Sequence, residues 1–204
     1  MTFEVLEEKD NMPEGPSIII LKEEIESFIG KKIMKVEGNS KLDIQRLSEK
    51  KIIDFKSWGK HFLICFKDFT VRIHFMLFGS YRINGQKESA PRLRLIFEKG
   101  EINFYACSVK FIEENLDEIY DWSSDVMNDL WNAKAAKRKL KAIPDVMICD
   151  ALLNQNIFTG VGNIIKNEVL FRTKIHPESE VGAIPEKKVN ELIKEARNYS
   201  FEFM

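Results

Sequence analysis

Gly160, Gly162 and Asn163 interrupt two helical patterns within residues 149–177 and carry the clearest chemical capacity in this chain of 204 residues. Glycine permits the positive φ that a tight double turn needs. The amides of Gly162, Asn163 and the start of the following helix would point outward there, a ready anion site. Lys134, Lys137, Arg138, Lys139 and Lys141 crowd just ahead of it. That run is either a solvated helix face or a phosphate-steering surface. Phe75, Met76, Leu77 and Phe78 are consecutive, so strand alternation pushes some large apolar groups outward. Such a knuckle can fill the hole that an extruded nucleotide leaves. Pro13-Glu14-Gly15-Pro16 is stiff and short, a turn with proline at or near the first position of a helix.

The elements that must hold these residues emerge from periodicity. Ala151, Leu152, Leu153 and Ile157 mark one amphipathic helix; Asn163 reads as the N-cap of a second, with Ile164, Ile165, Val169, Leu170 and Phe171 on its face. Helix, double turn, helix is the expected result. Ahead of the sheet region, Ile18, Ile19, Leu21, Ile25, Phe28 and Ile29 give a helix its buried face, and Gly30 is placed to end it. Strand patterns occupy 32–37, 52–57, 61–66, 71–75, 81–84, 92–97 and 102–107. Seven short strands after one helix predict an antiparallel sandwich. Residues 113–123 are acidic and irregular, a linker pattern; helices are expected over 132–141, stopped by Pro144, and over 184–198 from near Pro185.

Hydrophobic residues make up 44% of the chain, enough for a proper core. No apolar run approaches the roughly 18 residues of a membrane span, and no cationic leader precedes an apolar stretch. Cys65, Cys107 and Cys149 are odd in number and far apart, which predicts reduced thiols in a cytoplasmic protein and no metal site. The net charge is -1, but residues 1–11 hold -3 of it, leaving +2 on the remainder.

Taken together, Leu152, Leu153, Gln155, Gly160, Gly162, Asn163, Ile164, Glu168, Ile175, His176 and Pro177 match in order and spacing the helix-two-turn-helix of one family. Pro13-Glu14-Gly15-Pro16, Gly59-Lys60 and His74-x-x-Leu77-x-Gly79 match its other signatures. The chain thus resembles the formamidopyrimidine-DNA glycosylase and endonuclease VIII family, with Asn154 departing from the usual aspartate. The resemblance implies an α+β fold: an N-terminal helix plus antiparallel β-sandwich, then an all-α helix-two-turn-helix domain. It implies boundaries of 12–112 for the catalytic domain, 113–131 for the linker and 132–204 for the DNA-binding domain, after an extension at 1–11.

It also implies a bifunctional DNA glycosylase and abasic-site lyase of base excision repair. Pro13, freed as the N-terminus after removal of Met12, would be the nucleophile and Glu14 the acid. Lys60 would clamp the phosphate beside the lesion, and Met76, Leu77 and Phe78 would fill the gap in the stack. Gly162 and Asn163 would hold backbone phosphate. His74 is open to two readings, a member of the family motif or a buried, hydrogen-bonded histidine. Two departures matter. Residues 105–111 lack the arginine that the formamidopyrimidine branch uses on the opposite base, which favours the endonuclease VIII-like branch and oxidised pyrimidines. The family's C-terminal zinc finger has no counterpart before Met204, so no cofactor is expected in this chain. The expected partner is damaged double-stranded DNA, with no membrane and no small-molecule cofactor, for a monomer associated with the cytoplasmic nucleoid. The alternative is a non-catalytic protein of glycosylase fold that binds damaged DNA.

Overall fold

The computed structural model describes residues 13–204; the extension expected at 1–11 and the start expected at Met12 lie outside them. One apolar core sits within a β-sheet and another among helices, and α1 (Gly15–Glu24) lies between them. Pro16 occupies its first turn, where a missing N–H loses no bond. Ile18 and Leu21, with Ile25 and Phe28 beyond its end, enter the sheet core, while Ile19 packs on the helical core. Ile29, expected on the buried face, is exposed, because α1 stops at Glu24 and the tighter turn Glu26–Phe28 alters which way the next side chains face.

Six antiparallel strands form one hydrogen-bonded sheet: β1 (Ile33–Glu37), β2 (Asp54–Trp58), β3 (His61–Cys65), β4 (Thr70–Ile83), β5 (Leu93–Phe97) and β6 (Glu101–Ile112). Their spatial order is β1-β5-β6-β4-β3-β2. The pairing of the two long strands, β4 and β6, breaks between Phe75 and Ser80, opposite Ala106 at a φ of 44°. The break divides the sheet. β3 and β2 extend it beside the first half of β4, and β5 and β1 beside the first half of β6. The inner faces of the two halves share one core, where the Phe104 ring lies 6.0 Å from Phe62 and 6.3 Å from Phe75. Two layers on one core make the expected sandwich. The seven expected strands become six because 71–75 and 81–84 belong to one strand carried through the break. Gly79 lets it pass: a Cβ there would stand 2.6 Å from the Phe75 Cβ and 2.9 Å from the Ala106 carbonyl oxygen.

The helical half contains α3 (Ala133–Lys141), α4 (Ile148–Leu153), α5 (Asn163–Thr173) and α6 (Glu186–Glu202) around Leu140, Leu152, Phe158, Ile165, Val169 and Leu192. The Asn132 Oδ1 accepts from the Ala135 amide at 3.0 Å and caps α3. α6 runs past the expected end at 198 because Ser200 keeps its buried face, the hydroxyl donating back to the Ala196 carbonyl at 2.7 Å. The stretch expected as an irregular linker is folded. α2 (Leu116–Ile119) and the short turn Trp122–Ser124 lie against the outer face of the sheet, with Leu116 and Tyr120 buried beside Leu63, Cys65 and Ile112. Apolar side chains on an acidic strap explain both its composition and its place. Among the described residues no helix is long and apolar enough to cross a membrane.

Candidate active site

Glu14 is the organising residue. It precedes α1, is 1% exposed, and its carboxylate sits on the N-terminus of α5. Oε2 accepts from the Gly162 amide at 3.0 Å and the Ile165 amide at 3.3 Å, and Oε1 from the Ile164 amide at 2.8 Å. A helix N-terminus presents unsatisfied N–H groups and positive potential, so a carboxylate is the natural occupant. This corrects two expectations. Of the amides expected to lie open for an external anion, that of Gly162 and those of Ile164 and Ile165 at the helix start are occupied from within the chain. The N-cap of α5 is Gly162, and Asn163 is its first helical residue, exposed, with Oδ1 accepting from the Lys166 ammonium at 3.1 Å. Gly162 must lack a side chain, since a Cβ would stand 2.5 Å from Glu14 Oε1 and 2.8 Å from its Cγ.

Pro13, half-buried, is therefore fixed next to a carboxylate that is itself fixed by residues about 150 positions away in sequence. Three glycines bring the halves that close. The Gly15 amide donates to the Gly160 carbonyl at 2.9 Å, and a Cβ on Gly15 would stand 3.0 Å from the Gly160 Cα. Gly59, at a φ of 52°, leads into β3; a Cβ there would meet the Thr159 methyl and stand 2.7 Å from the Gly160 nitrogen. Backbone meets backbone at this junction. Gln155 shapes the double turn from inside: its Nε2 donates to the Leu153 and Val161 carbonyls at 2.8 and 3.0 Å, and its Oε1 accepts from the Gly160 amide at 3.0 Å.

Lys60 follows Gly59 at the tip of the β2–β3 hairpin. Burial holds its ammonium below the ordinary lysine value, while the nearby Glu14 charge pulls the other way. His74 Nδ1 donates to the Lys60 carbonyl at 3.2 Å. The two readings of His74 are therefore compatible: it is half-buried and hydrogen-bonded, and what it bonds is the backbone of Lys60. Burial also lowers His74 and pushes His61, its neighbour across the strands, down to about 3, leaving both imidazoles neutral near pH 7. Two residues beyond His74, Met76, Leu77 and Phe78 occupy the break in β4 and are 57%, 57% and 82% exposed. Three adjacent large apolar side chains thus project from the sheet.

The basic run is largely committed within the protein. Lys137 and Lys141 reach Glu186 at 2.5 and 3.6 Å. Lys139 reaches Asp121 at 2.7 Å and the Asn156 carbonyl at 2.6 Å. Lys134 and Arg138 make no ion pair among the described residues. Among those residues no cluster of three or more histidine, cysteine or acidic side chains could hold a metal.

One residue of the site escaped the sequence. Asp125, in the strap, is 2% exposed; its Oδ2 accepts from the Gly59 amide and its Oδ1 from the Met127 amide, both at 2.9 Å. Ser124 and Val126 on either side pair with Thr159 of the double turn, through Thr159 N–H to the Ser124 carbonyl at 2.9 Å and Val126 N–H to the Thr159 carbonyl at 3.2 Å. A lone aspartate among several acidic residues carried no signal of its own.

The family model of the formamidopyrimidine-DNA glycosylase N-terminal domain matches residues 12–111, and that of the formamidopyrimidine-DNA glycosylase H2TH domain matches residues 123–199. A formamidopyrimidine-DNA glycosylase of Lactobacillus helveticus is 30% identical over 207 residues, covering 89% of this chain and 73% of that protein. Endonuclease 8-like 3 of Xenopus laevis is 31% identical over 183 residues, covering 84% of this chain. The chain spans 25–30% of the length of the endonuclease 8-like 3 relatives of Xenopus and mouse. The Lactococcus lactis Fpg, solved in complex with DNA containing an abasic site, superposes with a TM-score of 0.81 at 22% identity, covering 93% of this chain and 77% of that one.

Proposed function

The chain belongs to the formamidopyrimidine-DNA glycosylase family, and from that premise we propose that it is a DNA glycosylase and abasic-site lyase of base excision repair acting through Pro13. The observation that carries this reading is the seat of Glu14. A buried carboxylate gripped by three amides at the head of α5 sets the adjacent Pro13 at the junction of both halves, beside the hairpin of Lys60.

In a chain processed to begin at Pro13, the α-amino group has an ordinary pKa near 8, so a useful fraction is a neutral nucleophile at pH 7. Its lone pair attacks C1′ of the extruded nucleotide, the glycosidic bond breaks, and the base leaves with the electron pair and takes up a proton. Glu14 takes the proton shed by the attacking nitrogen and delivers it to the ring oxygen as the sugar opens, and the nitrogen becomes an iminium joined to C1′. The iminium acidifies C2′–H. Loss of that proton expels the 3′ phosphate by elimination and cuts the strand. Lys60 holds the phosphate beside the lesion as a point charge. Met76, Leu77 and Phe78 enter the stack where the nucleotide has left, and Asn163 touches backbone phosphate at the head of α5. We assign oxidised pyrimidines as the base class, since β6 from 105 to 111 carries no arginine with which to read the opposite base.

Borohydride trapping on duplex DNA with one abasic site tests the reading. A chain translated from Met12, with that methionine removed, should give a covalent crosslink mapping to Pro13. Measurable DNA binding without any crosslink would overturn the enzyme and leave a non-catalytic binder of damaged DNA.

A further inference from the structure

We propose that Asp125 is a positioning residue for the strand-cutting reaction, holding the Gly59–Lys60 turn in register with Glu14 across the junction of the two halves. The proposal rests on the proposed function, in which Lys60 and Glu14 serve one lyase site. Lys60 is pinned from two sides. Asp125 Oδ2 takes the N–H of the residue before it, and His74 binds its carbonyl. Asp125 Oδ1 meanwhile takes the Met127 amide, and the strap on both sides of Asp125 pairs with Thr159 next to Gly160. One carboxylate therefore ties the β2–β3 hairpin to the strap, and the strap is tied to the double turn whose far end grips Glu14. Because Gly59 has no room for a side chain, this amide is the handle that the hairpin offers.

The residue type is informative. Two amides approach, one per oxygen, and only a carboxylate accepts on both sides; an asparagine would turn a donor toward one of them. Stability alone would not place a charge here. Asp125 makes no ion pair among the described residues, and burial pushes its carboxyl up to about 6. Lys22 of α1 and Arg197 of α6 face it, but the Arg197 guanidinium is committed to the Val126 and Asn128 carbonyls at 2.8 and 2.9 Å. Asp54 and Lys56 of β2, Asp117 of α2 and Asp129 of the strap line the cleft of about 450 Å³ beside it. A buried group that works against the fold and joins two halves of the molecule is a mark of function. Protonation would turn one acceptor into a donor and loosen the tie.

The test is single-turnover strand scission and borohydride trapping on saturating abasic-site DNA between pH 5 and 8, with the wild type and Asp125→Asn. At pH 7 the variant should cut at least tenfold more slowly with unchanged DNA affinity, a split that general unfolding would not produce. From pH 6 to 5 the wild-type rate should fall about 30- to 50-fold, the Asp125 proton adding to the proton on the amine, while the variant falls roughly tenfold. Equal rates and equal slopes overturn the proposal. So does a one-proton limb in the wild type, a result that needs no variant to fold. A wild type that neither traps nor cuts refutes instead the functional reading on which the proposal stands.

Discussion

Gly162→Ala should destabilise this protein through one contact, and the size of the effect is set by the seat of Glu14. The Gly162 backbone is extended, at φ -123° and ψ -163°, so alanine meets no backbone strain there. The whole penalty comes from the new methyl, which would overlap the Glu14 carboxyl group, 2.5 Å from Oε1 and 2.8 Å from Cγ. Glu14 is fully buried, so its side chain cannot swing to water; it must give up amides of α5. Losing two of three hydrogen bonds to a charged group, at about 1.5–3 kcal/mol each, predicts a loss of about 3–6 kcal/mol. That is a large part of the roughly 5–15 kcal/mol that holds a typical domain together. In a Glu14→Gly background the clashing carboxyl is gone, and Gly162→Ala should then cost less than about 1 kcal/mol, since the unfolded-chain gain offsets alanine's poorer N-cap propensity. Urea unfolding of the four proteins, read as a double-mutant cycle with an unchanged m-value, measures a coupling of about 4 kcal/mol. Equal costs in both backgrounds, or less than about 1 kcal/mol in the wild type, would refute the idea that this glycine exists to seat the carboxylate.

Other positions give smaller tests. Gly79→Val drives side-chain atoms into Phe75 and the Ala106 carbonyl, and thermal unfolding should show a loss of about 2 kcal/mol or more. Replacing Met76, Leu77 and Phe78 together by serine should leave stability within about 0.5 kcal/mol per site, because all three are exposed, while affinity for lesion-containing duplex drops in a filter or anisotropy assay. Lys60→Met should reduce the slope of log affinity against log salt by about 0.9, with no loss of melting temperature, since burial already disfavours the ammonium. Asp125 offers a pH test of the fold. Its folded value of about 6 lies above the ordinary 3.8, so the native state binds the extra proton and its contribution is most favourable at low pH, declining as pH rises from about 4 to 6. Above that window the buried charge costs about 3 kcal/mol. Calorimetry should accordingly find Asp125→Asn melting no lower than the wild type at pH 7, with any gain gone at pH 4; a lower melting temperature at pH 7 would contradict this.

Local chemistry made much of the fold legible. Asn132, Pro144 and Pro185 bound the elements they punctuate, because caps and breakers act over a few residues, whereas α1 ends at Glu24, well before Gly30. The apolar run at 75–78 announced projecting side chains, since alternation cannot hide four in a row. What lay out of reach was long-range pairing. The turn Gly160-Val161-Gly162-Asn163 reads as an anion site, and so it is, but no local pattern says that the anion is Glu14. Asp125 was silent for the same reason: its two donors come from residues 59 and 127, and only the fold brings the first of them near. The strap was misread because acidic composition outweighed Leu116, Tyr120 and Trp122, whose burial depends on a sheet face that the linear pattern does not display.

The grip of α5 on Glu14 also sets an order of events during synthesis. The last strand ends at Ile112, so the sheet half has all its strands before α5 exists, and Glu14 must wait for the amides of Gly162, Ile164 and Ile165. At ribosomal speeds of about 5–20 residues per second, those roughly 50 further residues take on the order of 3–10 s. Through that interval the nascent chain holds a sheet but no assembled centre. The residue that heads α1 is completed by one of the later helices to emerge, so the junction of the two halves closes only late in synthesis.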